Sequence, residues 1–202
     1  MNPLSQIEAQ VAVCDQCRLR NTVINRVFGE GDSSASVMII GESPGREENS
    51  AGRPFVGDAG QLLQKAFDKL SVRREDFYIS NILKCWIPSN KITTDIKLEC
   101  IPKCVKFIEA QIEAIQPKVI FALGATAMQV LVDIHSSIGK MRGKALAGPH
   151  EVLVVSTWHP AYILRCGGMG GDKTKQRRAA KEFISDFRCA LDVAGMPYTE
   201  TK

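Results

Sequence analysis

Four short, mostly apolar runs punctuate the chain, at residues 36–40 (SVMII), 77–83 (FYISNIL), 118–124 (KVIFALG) and 151–157 (EVLVVST). Continuous rather than alternating apolarity predicts strands buried on both faces, the habit of a parallel sheet. Amphipathic stretches lie between them, at 59–70, 99–115 and 125–134, and residues 183–193 close the chain with the same helical period. A further short helix over SQIEAQVAVCDQC ends on a cysteine pair. Strands alternating with helices predict a three-layer α/β/α fold around a central, mainly parallel, four-stranded sheet. Its ligand site is expected beyond the carboxyl ends of the strands.

Composition narrows this picture without redirecting it. At 202 residues, 45% hydrophobic and 24% charged, the chain reads as one globular domain over 1–202, with 1–30 as an N-terminal segment and 190–202 as a tail. No run approaches the roughly 18 apolar residues of a membrane span. The start MNPLSQIEAQ lacks the basic-then-apolar pattern of a secretory signal, so a cytoplasmic location without membrane association is expected. The net charge of +4 is compatible with a polyanionic partner, and the basic residues gather late: Arg165, then Lys173, Lys175, Arg177, Arg178 and Lys181. They read either as a track for a phosphate backbone or as a solvated helix face.

Seven cysteines in a reducing compartment point to ligation or burial rather than disulfides. Cys14-x-x-Cys17, Cys85 and either Cys100 or Cys104 form a set of four thiols far apart in sequence, which can share a centre only if the fold gathers them. The expected centre is a [4Fe-4S] cluster, with zinc as the alternative. Elsewhere the chemistry clusters at strand ends. Gly41-Glu42-Ser43-Pro44-Gly45 follows the first strand, Asn81 lies in the second, and His159 follows the fourth. Loops after parallel strands are where such a sheet assembles a pocket, so these residues are expected to converge. The glycine-rich stretch 167–171 reads as a loop.

The segments GESPGREENSAGRPFVGDAGQLL, SNILKC and WHPAYILR, in this order and with cysteines at 14, 17, 85 and 104, closely resemble the iron-sulfur uracil-DNA glycosylases of the family 4 type. The resemblance spans Cys14 to Arg165. It implies a monofunctional DNA-repair hydrolase acting as a monomer at the nucleoid. Such an enzyme cleaves the N-glycosidic bond of flipped-out deoxyuridine, in single- or double-stranded DNA, to leave an abasic site. Phe55 is then the platform on which the base stacks, and Asn81 the amide that accepts from uracil N3–H and donates to O4. His159 becomes the donor to uracil O2 as charge develops there. Glu42 and Glu48 are the acidic candidates for holding the hydrolytic water, and Gly41, Ser43 and Gly45 bring the turn close to substrate. The resemblance also selects Cys104 over Cys100 as the fourth ligand beside Cys14, Cys17 and Cys85, and gives the cluster a structural role.

Several positions depart from the family's pattern. Ser43 stands where the family commonly has glycine, and WIPSNK follows Cys85 where a basic residue and two prolines are usual. Ile163, Leu164 and Arg165 are the candidates for DNA contact, and Ile163 or Leu164, with Tyr162 contributing, is the candidate for the wedge filling the gap left by the flipped base. Two other classes remain at this point: a non-catalytic or covalently trapping uracil-DNA binder, and an iron-sulfur nucleic-acid module of a replication assembly. A sliding clamp is a further candidate partner.

Overall fold

The computed structural model describes residues 3–88, 92–134 and 136–201, so the last three residues of the WIPSNK segment lie outside the described residues. The strands are β1 (Glu30–Gly31), β2 (Val37–Gly41), β3 (Tyr78–Asn81), β4 (Val119–Leu123), β5 (Ala145–Ala147) and β6 (Leu153–Thr157), ordered β1-β3-β2-β4-β6-β5. The four expected strands form the parallel centre, with β2 paired to both β3 and β4, and β4 to β6. Two short strands, β1 and β5, extend this sheet antiparallel at its edges.

Strand periodicity divides the core into two layers. Val37 and Ile39 of β2 join Phe67, Phe77, Phe121, Phe183 and Phe187 on one face. Met38 and Ile40 join Ile120, Ala122, Val154, Phe107 and Ile108 on the other. The helices are α1 (Pro3–Ala12), α2 (Arg46–Ala51), α3 (Asp58–Lys69), α4 (Thr94–Ile115), α5 (Ala125–Val132), α6 (Ile138–Met141), α7 (Pro160–Cys166) and α8 (Lys173–Ala194). Helices α3, α7 and α8 cover the phenylalanine-rich face, and α1, α4 and α5 the opposite one. No helix among the described residues is long and apolar enough to cross a membrane.

Helix starts differ from the sequence expectation for a common reason. The final helix begins at Lys173, well ahead of residue 183, because the Asp172 carboxylate accepts from the Thr174 and Lys175 backbone N–H at 2.8 and 3.0 Å. Helix α4 begins at Thr94 with Thr93 as its cap. In both cases polar caps extend the helix beyond its apolar stripe. The expected tail is helical through Ala194 and then folds back, with Thr199 and Thr201 donating backbone N–H to Leu70 and Lys69 carbonyls.

Candidate active site and cysteine cavity

Sheet order reverses direction between β2 and β4, which is where an open parallel sheet leaves a crevice. A cleft of about 620 Å³ lies there, walled by Glu42, Ser43, Gly45, Glu48 and Phe55 from the turn after β2, Asn81 from β3, and His159, Leu164 and Arg165 after β6. Residues separated by more than a hundred positions therefore converge as expected. Gly41 lies directly behind the wall: a Cβ there would sit 2.4 Å from Asn81 Oδ1 and 2.6 Å from Phe55 Cζ. Only glycine lets both side chains reach their positions.

Phe55 is at once core and wall. It is 6% exposed and packs with the phenylalanine-rich layer, yet it lines the cleft, with its ring centroid 6.1 Å from that of His159. Its backbone is left-handed at φ 50°, a strained conformation for an aromatic residue. Asn81 is 1% exposed, and its Oδ1 is buried without a hydrogen-bond partner. A bare acceptor at the bottom of a cleft is costly unless something else donates to it.

His159 caps α7. Its Nδ1 accepts from the Ala161 backbone N–H at 3.1 Å, which puts the ring proton on Nε2 and makes that atom a donor. Burial, reinforced by Arg165, pushes the imidazole down to about 4, so the ring is neutral at physiological pH. The two carboxylates differ sharply. Glu48 is spent on backbone: Oε2 accepts from Gly45 N–H at 2.9 Å, and Oε1 from Val56 and Gly57 N–H at 2.8 and 2.9 Å. Glu42 receives one bond, from Thr126 Oγ1 to Oε2 at 2.5 Å, and this contact crosses the gap between β2 and β4.

Two residues unremarked in the sequence help to set the His159 loop. Thr157 Oγ1 donates to buried Asp186 at 2.7 Å, and Trp158 Nε1 donates to Glu182 at 2.6 Å. Arg142 binds the same Asp186 through two nitrogens. Thr126 was likewise unmarked; its only signal is its place just after Gly124 at the end of β4.

Of the candidate wedge residues, Ile163 faces inward. It is 1% exposed within the phenylalanine-rich core and cannot leave it without opening a cavity. Leu164 lines the cleft instead, and Tyr162 stacks on Trp158 at 4.8 Å. Lys173, Lys175, Arg177, Arg178 and Lys181 are exposed along the first half of α8, and Lys175 Nζ lies 5.8 Å from the Tyr162 ring centroid.

Behind β3 sits a second, much smaller space of about 20 Å³, lined by Cys14, Cys17, Cys85 and Cys104 together with Arg20, Arg26, Lys84 and Lys103. Cys100 is not among the lining residues; it is buried with Leu19, Leu83, Ile87 and Ile96, next to Cys17, with which it shares a hydrogen bond. Burial, together with Cys104, Cys17 and Cys14 nearby, pushes the Cys85 thiol up to about 12. Burial also raises Cys104, against the opposing pull of Lys84. Four thiols gathered on one cavity beside Arg20, Arg26 and Lys103 are a donor set that suits a positively charged metal core, which would favour their deprotonated forms. Among the described residues, no group of three or more His, Cys, Asp or Glu side chains is arranged to hold a single metal ion.

Residues 28–188 match the family profile described as Uracil DNA glycosylase superfamily. The chain is 42% identical over 160 residues to a type-4 uracil-DNA glycosylase of Thermotoga maritima, covering 79% of this chain and 82% of that one. It is 37% identical over 202 residues to a type-4 uracil-DNA glycosylase of Archaeoglobus fulgidus, covering 96% and 95%. With the type-4 uracil-DNA glycosylase of Pyrobaculum aerophilum it shares 36% over 179 residues, covering 85% and 90%.

Proposed function

The chain belongs to the uracil-DNA glycosylase superfamily and to its type-4 members, and from that premise we propose that it hydrolyses the glycosidic bond of deoxyuridine in DNA, releasing uracil and leaving an abasic site. The observation that carries the site assignment is the buried, unpartnered Asn81 Oδ1. Uracil N3–H donates to such an acceptor, whereas cytosine N3 is itself an acceptor and would oppose it. Phe55 then forms the face against which the extruded base stacks.

Departure of uracil moves the bonding pair from C1′–N1 onto the base, and negative charge collects on O2. Neutral His159 donates Nε2–H to that oxygen and need not transfer its proton. Water adds to C1′, its proton leaves through an acceptor, and the sugar keeps the hydroxyl. Glu42 is assigned that water, because one of its oxygens is uncommitted within the cleft wall while those of Glu48 already serve three backbone donors. Glu48 thereby holds the turn from Gly45 to Gly57 in shape, and Ser43 lies beside the water's approach. Leu164 and Arg165 meet the DNA at the rim.

Cys14, Cys17, Cys85 and Cys104 would hold a [4Fe-4S] cluster, which when bound supplies a cross-link and no step of the hydrolysis. Four thiols lining one cavity are the donor set that such a cluster takes. Incubation with a labelled oligonucleotide carrying one uracil, followed by alkali, is expected to give scission at that nucleotide. An intact strand would overturn the reading, and a gel-stable adduct would replace it with a trapping binder.

A further inference from the structure

Lys84 is 2% exposed, so a side chain that ordinarily seeks water is held entirely inside. Its three N–H groups are shared among four acceptors: Ser80 Oγ and Gln111 Oε1, both at 2.7 Å, the Asn81 carbonyl at 2.9 Å and the Phe28 carbonyl at 3.2 Å. Burying a lysine is costly, and four acceptors around one nitrogen are a built site rather than a chance contact. The acceptors come from three separate parts of the chain. Phe28 belongs to the N-terminal segment, Ser80 and Asn81 to β3, and Gln111 to α4, where it lies two helical turns beyond Cys104.

The backbone of the same residue faces the other way. Its N–H donates to the Cys104 sulfur, its carbonyl accepts from Val27 N–H at 2.8 Å, and the next residue is Cys85. Lys84 thus touches the cysteine cavity with its main chain and ties down the Asn81 peptide with its side chain. Gln111 completes the support, since its Nε2 donates to Phe28 O at 3.1 Å and Tyr78 Oη at 2.9 Å. Asn81 sits on the last residue of β3, where the sheet ladder ends and the backbone carbonyl would otherwise be loose.

We propose that Lys84 is a positioning residue: by bonding the Asn81 carbonyl it fixes the direction in which the Asn81 amide enters the cleft, and so couples the order of the cysteine cavity to uracil recognition. The inference rests on the reading of Asn81 as the uracil-reading amide. Lys84 does not touch the substrate and takes no proton from it. Removing its Nζ should let the Asn81 amide drift, and a shift of about 1 Å at a reacting site can cost about 100-fold. DNA affinity, supplied mainly by contacts to phosphates, should scarcely change.

The test is Lys84→Met beside Asn81→Ala, both assayed for excision of uracil per folded molecule. Lys84→Met is expected to lower kcat by roughly 10- to 100-fold, with KM within about threefold of wild type. The Asn81 side-chain amide resonances, identified by their loss in Asn81→Ala, should shift while iron content stays the same. A wild-type kcat in Lys84→Met beside an inactive Asn81→Ala protein overturns this inference alone, as does a change confined to KM. A fully active Asn81→Ala protein overturns the uracil reading beneath it. Should Lys84→Met not fold, Ser80→Ala removes one acceptor from Nζ and is expected to lower kcat by roughly 2- to 10-fold; an unchanged kcat there contradicts the proposal.

Discussion

The cleft and the cysteine cavity lie on either side of the end of β3, and they are built on opposite principles. The cleft is roomy, at about 620 Å³, and its decisive atom, Asn81 Oδ1, lacks a partner. The cavity is about 20 Å³, and its walls are thiols, each other's neighbours, hemmed by cations. One site keeps hydrogen-bonding capacity in reserve for a substrate that comes and goes. The other gathers thiols that, on the reading proposed above, would close around a permanent cluster. Damage to the two should therefore be separable: cleft substitutions should cost rate with little stability, and cavity substitutions should cost the folded protein itself.

The largest effect expected on the cavity side is that of Cys85→Ala, which should lose iron, visible colour and soluble protein together, because the N-terminal segment, the turn after β3 and α4 would no longer be joined. Cys100→Ala should keep its iron, since that side chain packs among Leu19, Leu83, Ile87 and Ile96. Iron retained by Cys104→Ala and lost by Cys100→Ala would reverse the ligand assignment. On the cleft side, His159→Ala should lower kcat by about 100- to 1,000-fold, the usual consequence of deleting one donor to a developing anion. Its melting temperature should stay close to wild type; an equal loss of both would erase the contrast between the two sites.

The two glutamates divide the comparison within the cleft. Glu42→Gln should slow excision by roughly 10- to 100-fold at unchanged stability, through loss of the water's acceptor. Glu48→Ala should instead lose about 3 kcal/mol of stability, because the Gly45, Val56 and Gly57 N–H groups are left unpaired. Denaturant unfolding beside single-turnover kinetics distinguishes the pair. Neighbours on α7 divide likewise: Ile163→Ala should cost about 2–4 kcal/mol as a core truncation, and Leu164→Ala should spare stability while slowing excision from duplex DNA.

The smallest expected effect concerns pH. His159 is neutral in the fold down to about 4, against an ordinary value of 6.5. Its depressed value adds stability that is present above 6.5 and is lost as pH falls through 6.5 towards 4, because the unfolded chain binds the proton first. Activity should accordingly be flat from pH 8 through 6.5 and decline only on approach to about 4. A break in kcat near 6.5 that His159→Ala abolishes would show that the ring titrates normally.

What could be read from the sequence follows from which force builds each part. Strands β2, β3, β4 and β6 were legible because a strand buried on both faces must be continuously apolar. Strands β1 and β5, two and three residues long, are edges held by pairing, with no apolar run to announce them. The first ten residues of α8 were missed as helix because their basic side chains point to solvent; Asp172 was the available sign. In the site, Asn81 and His159 were visible as polar residues at strand ends, and Phe55 through the resemblance that its segment carries. The division between Glu42 and Glu48 was not, because it depends on which carboxylate the turn folds around. Lys84 was hidden for the opposite reason: a lysine is ordinarily a surface residue, and its burial appears only when Phe28, Ser80 and Gln111 come together in space.

The central claim, that Asn81 reads uracil through its unpartnered Oδ1, is tested most directly by single-turnover excision from matched oligonucleotides carrying uracil or cytosine, with wild-type protein and Asn81→Ala. The account predicts rapid release of uracil and none of cytosine by the wild type, and a loss of about 100-fold on uracil in the variant without a fall in melting temperature. A variant that excises uracil at the wild-type rate would contradict it.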